Sequence, residues 1–496
     1  MDIGRELALS LTPGAAGRLL KHPLLSEAGA IRERVIIDTC FDTADLRLQR
    51  AQLVVRQRHD GASGQGWVSI SSGELSANED SPGARWQVAG EPGDFDFSDV
   101  SDSALREWLE ALRDDLQAAF TCRFTRSACL LEPRPGVRIE LALDRGRILG
   151  GGRQQAICEL RLEVLAGSAG DLFAAASVLQ RDFSLHPLAL GKQQRGYRLL
   201  AEEVPPAVKA IAVRTDAEMS ASSAFRRIAL ACLGQLQGNE QGVRESDDPE
   251  FIHQARIAIH RLRAALRIWR PLLPVAFVNR FDAQWQALDE QLGEARNWDV
   301  FRVETLPRIA LALPAGGENG RLSNYAQRRC ALNREAARSA LQSDDYSRLL
   351  LEFTAGVLAL GETDERRLDA FALTCLDKAA KQVSQLAGEA LLGAAAARHR
   401  LRIAYKRLRY ALEFFAALFP GELLRNYHLS VSGLQDVLGR LNDLAVAAQL
   451  SEEVLPGEPG SAIRSWLKAQ GEALLPELRG WLNDFRRYPA PWRSQQ

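Results

Sequence analysis

The residues in this chain best suited to chemistry are basic, and they occur in a repeated order. One block reads His253-Gln-Ala-Arg256-Ile-Ala-Ile-His260-Arg261-Leu-Arg263-Ala-Ala-Leu266, and the other His399-Arg-Leu-Arg402-Ile-Ala-Tyr-Lys406-Arg407-Leu-Arg409-Tyr-Ala-Leu412. His, Arg, Ile-Ala, Arg-Leu-Arg and Ala-Leu recur at identical spacing, offset by 146 residues, and the same offset carries Leu288, Leu292 and Gly293 onto Leu434, Leu438 and Gly439. A helix turns about 100° per residue, so His253, Arg256, His260, Arg263 and Arg267 share an arc of about 80°. His399, Arg402, Lys406 and Arg409 occupy the same arc in the second copy, while Leu262 and Leu266 lie on a separate apolar face. Like charges at these spacings repel and weaken a helix. A bound anion offsets that cost, and the planar fork of arginine can contact two phosphate oxygens at once. Two such helices facing each other would line a groove for an extended polyanion. Most single charge stripes are solvated helix faces, but solvation gives no reason to keep His and Arg in fixed register twice. His253 and His260 are seven residues apart rather than four, with no accompanying carboxylate, which is not the spacing of a helical metal pair.

The elements that would carry these residues divide the chain of 496 residues, a length that predicts about two to four domains. Hydrophobic residues at 46% and charged residues at 25% are globular values, which excludes a mostly disordered or collagen-like chain. With 62 Lys+Arg against 63 Asp+Glu the net charge is −1, which excludes a uniformly basic protein that coats DNA by charge alone. No long apolar run and no basic-then-apolar leader is present, so a soluble, cytoplasmic protein is expected. Seven scattered cysteines with no C-x-x-C pair suit reduced, buried thiols.

Over the first 200 residues or so, apolar and polar residues alternate in Glu6–Leu11, Gln52–Arg58, Trp67–Ser71, Val137–Asp144 and Cys158–Val164. The Gly-rich stretch 59–66 reads as a hairpin loop, and helical patterns interrupt at Ser103–Ala119 and Asp171–Phe183. Such strands can close into an antiparallel barrel or cup. Residues 202–206, ending in Pro-Pro, read as a linker. From about residue 217 the pattern is all-helical, with short breakers at Pro271 and Pro274, at 314–317 and at 420–421 that fit turns between antiparallel helices. The expected division is 1–201, a linker at 202–215, and a helical region at 216–485 in two repeats, about 216–355 and 365–485.

The H-x-x-R-I-A-x-x-R-L-R block, present twice, resembles the CHAD domain, a family of two pseudo-symmetric four-helix bundles whose basic helices bind inorganic polyphosphate. The resemblance implies that His253, Arg256, His260, Arg263, His399, Arg402, Lys406 and Arg409 contact polyphosphate with no cofactor, although His260 departs from the basic residue expected at its position. Lys378, Lys381, Arg328, Arg329 and Arg334 are further candidates. It also implies association with polyphosphate granules.

Residues 1–200 resemble the CYTH family, the triphosphate-tunnel fold of bacterial inorganic triphosphatases and class IV-type adenylate cyclases. The likeness rests on the opening strand Glu6–Leu11, C-F-D-T at Cys40–Thr43, the run ending in Arg56 and Arg58, I-E-L-A-L-D at Ile139–Asp144, I-C-E-L-R-L-E at Ile157–Glu163 and G-K-Q-Q-R-G-Y at Gly191–Tyr197. It implies a tunnel in which Arg56, Arg58, Arg126, Lys192 and Arg195 hold triphosphate, while Glu6, Glu159 and Glu163 hold Mg²⁺ or Mn²⁺ if the domain is active. Against the family pattern, the opening E-x-E-x-K falls on Glu6, Ala8 and Ser10, T-x-K on Ser69 to Ser71, and R-x-E on Arg85 to Gln87; Arg161 stands where an acid is common. Lost groups of this kind each matter by orders of magnitude in rate. The expectation is a polyphosphate-binding protein with an eroded tunnel; the alternative is a metal-dependent triphosphatase acting on tripolyphosphate. Nucleic acid is disfavoured as a partner, since the stripes lack interleaved aromatics.

Overall fold

The computed structural model describes residues 5–26, 30–60, 66–72, 85–89, 95–98, 100–201, 204–313, 317–361, 366–392, 395–419, 421–488 and 490–493. Most of the 59–66 loop, Glu202 and Glu203 of the expected linker, and the breakers Pro314 and Pro420 lie outside the described residues. The chain forms two compact units, one of residues 1–206 with 343–359, the other of residues 207–342 with 360–496.

Among the described residues the first unit is built on nine antiparallel strands: β1 (Glu6–Leu11), β2 (Arg32–Asp42), β3 (Leu53–Asp60), β4 (Gly66–Ser72), β5 (Arg85–Ala89), β6 (Gln117–Leu131), β7 (Arg138–Gly150), β8 (Arg153–Ala166) and β9 (Leu185–Pro187). Their order is β5-β4-β3-β2-β6-β7-β8-β1-β9. Leu9, Leu141, Leu143, Leu160 and Leu162 alternate onto one face and pack against the short helix Pro13–Leu19 and α1 (Ala169–Gln180). The opposite face carries Asp38, Arg58, Arg126, Asp144, Glu159 and Arg161, all buried. A helix α2 (Lys192–Leu200) covers that face, and Gly196 permits the approach, since a Cβ there would stand 2.1 Å from the Phe120 ring.

The helix expected over Ser103–Ala119 ends at Leu112, and β6 begins at Gln117. Phe120, Cys122 and Phe124 are buried and alternate with the more exposed Thr121, Arg123 and Thr125, and the alternation stops where Arg126–Cys129 are buried on both faces.

The second unit is helical. Its first half holds α3 (Ala221–Glu245), α4 (Pro249–Ile268), α5 (Val275–Val300) and α6 (Gly317–Leu341). A further helix, α7 (Asp344–Ala359), follows in sequence but belongs to the first unit, where Leu351 joins the core of Leu9 and Leu160. The second half holds α8 (Leu368–Leu392), α9 (Ala395–Phe415), α10 (Glu422–Val454), α11 (Ser461–Ala473) and α12 (Leu475–Phe485). α9 begins 146 residues after α4, so the sequence repeat is a repeat of structure. Asp248 caps α4 through the Glu250 amide at 2.9 Å, with Pro249 at the first helical position where its missing N–H costs nothing. Trp269 at the end of α4 packs on Phe371, Phe414 and Phe415 of the second half and donates its indole N–H to Ala221 O at 2.7 Å. Arg261, 1% exposed, donates to Glu413 across the repeats at 2.6 Å and to Gln235 at 2.9 Å.

Candidate functional site

Helices α4 and α9 pack against each other and bring the two basic stripes together. The stripes are chemically unlike. On α4, Arg256 Nε donates to Asp289 Oδ1 at 3.0 Å, and His260 Nε2 lies 2.9 Å from Asp289 Oδ2. Arg263 donates to Asp282 at 2.9 Å and to Gln286 at 2.8 Å, and Arg267 also donates to Asp282, at 3.1 Å. Both acids come from α5. Arg256 lies over Gly293, where a Cβ would stand 3.4 Å from its Nη2. Burial pushes His260 down to about 4, outweighing the Asp289 bond that favours its charged form. Burial alone would raise Asp289, but His260 and Arg256 hold it down at about 2. At neutral pH the pair is therefore a carboxylate accepting a bond from a neutral imidazole. His253 is likewise depressed, first by burial and then by Arg296.

On α9, among the described residues, no carboxylate lies within ion-pair distance of Arg402, Lys406 or Arg409. Arg402 Nε and Arg409 Nε are buried without a hydrogen-bond partner. The Arg409 guanidinium sits 4.6 Å from the Tyr410 ring centroid. Burial, followed by the charges of Arg402 and Arg256, pushes Lys406 down to about 7; Asp289 opposes the shift and Arg409 adds to it. Burial lowers Arg402 as well. His399 is exposed at the start of the helix. The positions on α10 equivalent to Asp289 and Asp282 are Gln435 and His428. Gln435 Oε1 is buried without a partner, and nothing lies within 4 Å of a Cβ placed at Gly439.

His253, Arg256, His260, Arg402, Lys406 and Arg409 thus come together and His399 stands exposed at the helix start, but the acids that neutralise the α4 stripe were not singled out from the sequence. Carrying the 146-residue offset over to α5 and α10 would have revealed both the acids and their replacement. Of the weaker candidates, Arg334 donates to buried Asp299 at 2.7 Å and Arg329 lies by Glu453 and over Trp298, which are structural roles; Lys378 and Lys381 are exposed on α8 and Arg328 on α6.

In the first unit, the charged face of the sheet is a cross-paired network, with Arg56 Nη1 and Arg195 Nε buried without a hydrogen-bond partner. Arg58 binds Asp38 bidentately at 2.6 and 2.7 Å, and Arg126 binds Asp144 at 2.8 and 2.7 Å. Arg56 lies 3.9 Å from Asp38. Lys192 contacts Asp144 at 2.9 Å and also pairs with Glu159, as does Arg195. Burial would raise Asp144, but Lys192 and Arg126 keep it below the usual carboxylate range. Arg161 stands between Glu6, at 2.6 Å, and Glu163, at 3.3 Å. The register explains the placement, since β1 and β8 pair with Ala8 opposite Arg161 and Ser10 opposite Glu159.

A divalent ion needs carboxylate oxygens free of competing cations. Glu6 and Glu163 share Arg161, and Glu159 is held by Lys192 and Arg195, so this donor set does not fit one. Among the described residues no group of three or more His, Cys, Asp or Glu is placed to hold a metal. No helix among them is long and apolar enough to cross a membrane.

Residues 227–452 match the CHAD domain family. The crystal structure of the CHAD domain from the plant Ricinus communis is 34% identical, covers 56% of this chain and 96% of that one, and superposes with a TM-score of 0.50. The chain belongs to the CHAD-domain family, by way of its helical unit. An inorganic triphosphatase of Haemophilus influenzae is 33% identical over 84 residues, 17% of this chain and 24% of that protein. That match spans about a quarter of the relative's length. A putative adenylate cyclase from Bacillus halodurans is 14% identical, covers 39% of this chain and 96% of that one, and has a TM-score of 0.26.

Proposed function

We infer that this protein binds inorganic polyphosphate on the basic face between α4 and α9. The observation that carries the reading is the group Arg402, Lys406 and Arg409: three basic side chains on one helix face, largely withdrawn from water, with no carboxylate in ion-pair contact among the described residues, while Asp443 and Asp289 act on Arg402 and Lys406 from outside that distance. A folded protein keeps such a group only at an energetic penalty, and a string of phosphates relieves it with charge-assisted hydrogen bonds. Membership of the CHAD family supports the same reading.

The test is binding of long-chain polyphosphate to the full chain over a range of salt. Tight binding that weakens steeply with salt, by analogy with counterion release from nucleic-acid phosphates, and that is lost in Arg402→Ala/Lys406→Ala/Arg409→Ala, is the expected result. Undiminished binding by the triple variant refutes the site. DNA competing as well as polyphosphate refutes the ligand.

A second reading, favoured by the similarity to the Haemophilus triphosphatase, is hydrolysis of tripolyphosphate on the charged face of the sheet. The internal pairing of Arg58, Arg126, Arg161, Lys192 and Arg195 leaves little charge for substrate, so phosphate release from tripolyphosphate should not rise on adding Mg²⁺ or Mn²⁺. Metal-dependent release would reverse this judgement.

A further inference from the structure

The two stripes repeat in sequence but not in their counter-ions, and the difference lies at identical offsets. Asp289 and Asp282 neutralise Arg256, Arg263 and Arg267 on the first copy. The second copy has Gln435 and His428 at those places, and its arginines retain buried N–H groups with no acceptor. The position of Arg267 is itself inverted: its equivalent is Glu413, which is turned instead to Arg261.

We propose that the polyanion is anchored on the second repeat alone, and that Asp289 and Asp282 are built-in competitors that keep the first stripe from it. The proposal rests on the polyanion reading and deepens it. A phosphate approaching Arg256 or Arg263 must displace a carboxylate already in place, whereas one approaching Arg402 or Arg409 fills an empty acceptor position. The groove is then one-sided, with a strong wall from α9 and a self-satisfied wall from α4. Asp289 sets how strong the site is, because it also faces Lys406 and offsets part of that lysine's charge. Gln435 withholds the carboxylate that Asp289 supplies on the first copy; the acid that does act on Arg402, Asp443, stays outside ion-pair contact.

The experiment measures affinity of the full chain for long-chain polyphosphate by titration calorimetry at one salt concentration. Arg402→Ala/Arg409→Ala is compared with Arg263→Ala/Arg267→Ala, beside the single variants Asp289→Asn and Gln435→Asp. The second-repeat pair is expected to lose about tenfold or more, the first-repeat pair less than about threefold, as follows when one pair has lost a charge-assisted bond and the other has not. Asp289→Asn should tighten binding and Gln435→Asp should weaken it about as much as the second-repeat pair. Removing mutually repelling cations relieves strain rather than adding it, so thermal unfolding of the second-repeat variant should not fall. Should it fall, Gln435→Asp alone decides, because it deletes nothing. Equal losses from the two arginine pairs, or wild-type affinity in Gln435→Asp, overturn the proposal while leaving polyphosphate binding intact. Absence of binding by the wild type overturns both.

Discussion

Lys406 makes the affinity for polyphosphate depend on pH in a range where few other groups on this face titrate. Burial and the neighbouring Arg402, Arg256 and Arg409 bring it from 10.5 to about 7, with Asp289 pulling the other way. In the free protein it is then charged about half the time at pH 7, about one time in eleven at pH 8 and about one in a hundred at pH 9. A phosphate beside the ammonium restores the charged form, so binding takes up a proton. The association constant should be level below pH 7 and fall by nearly tenfold per unit between pH 8 and 9. His260, held at about 4, stays neutral throughout, and His253 and His428 are depressed in the same direction. The same shift acts on stability with a definite sign: the unfolded chain binds the proton more tightly, so the free protein gains stability as pH rises from about 7 to 10.5. The assay is calorimetric titration with long-chain polyphosphate at pH 6.5, 7.5, 8.5 and 9 at constant ionic strength, for wild type, Lys406→Arg and Lys406→Met. The arginine variant should be flat above pH 7, because its side chain stays charged. The methionine variant should be flat and bind no more tightly than the wild type does at pH 9. A flat wild-type profile, or the same slope in Lys406→Arg, would rule out Lys406 as the titrating group.

Three further outcomes follow from the packing. Arg261→Ala strips a buried cation from Glu413 and Gln235 and should cost about 3–5 kcal/mol in denaturant unfolding, with Arg261→Met less harmful. Asp289, at about 2, and Asp144, also depressed, stabilise the protein above the ordinary carboxylate pKa; that contribution should be lost as pH falls from about 4 toward 2. Asp289→Asn removes that contribution at every pH, so the acid unfolding midpoint of the helical unit should move to higher pH while that of the sheet unit stays in place. Leu351→Ala, although far from the strands in sequence, should weaken the sheet unit by about 2–5 kcal/mol, seen as faster hydrogen exchange in β1, β8 and α1.

Much of the fold could be read from residue order. Five strands were foreshadowed by alternation, and the repeat of α4 and α9 by a 146-residue offset, because a period of two or of 3.6 shows itself wherever one face is buried and the other is wet. β6 escaped although Phe120 to Thr125 alternate, because the period breaks where Arg126–Cys129 are buried on both faces and because the helical pattern runs past Leu112 into its start. So did the membership of α7 in the sheet unit, because an apolar helix face does not say which core it enters.

For the site, residue order settles which side chains are basic, that they share one helix face, and that the pattern occurs twice. Tertiary structure alone decided which of those charges are already spent. Asp289 and Asp282 reach α4 from the next helix, and Arg161 reaches Glu6 across a strand pair, contacts between residues far apart in order. Whether a cation is available depends on the carboxylate within about 4 Å of it, and that distance is set by packing, not by spacing along the chain.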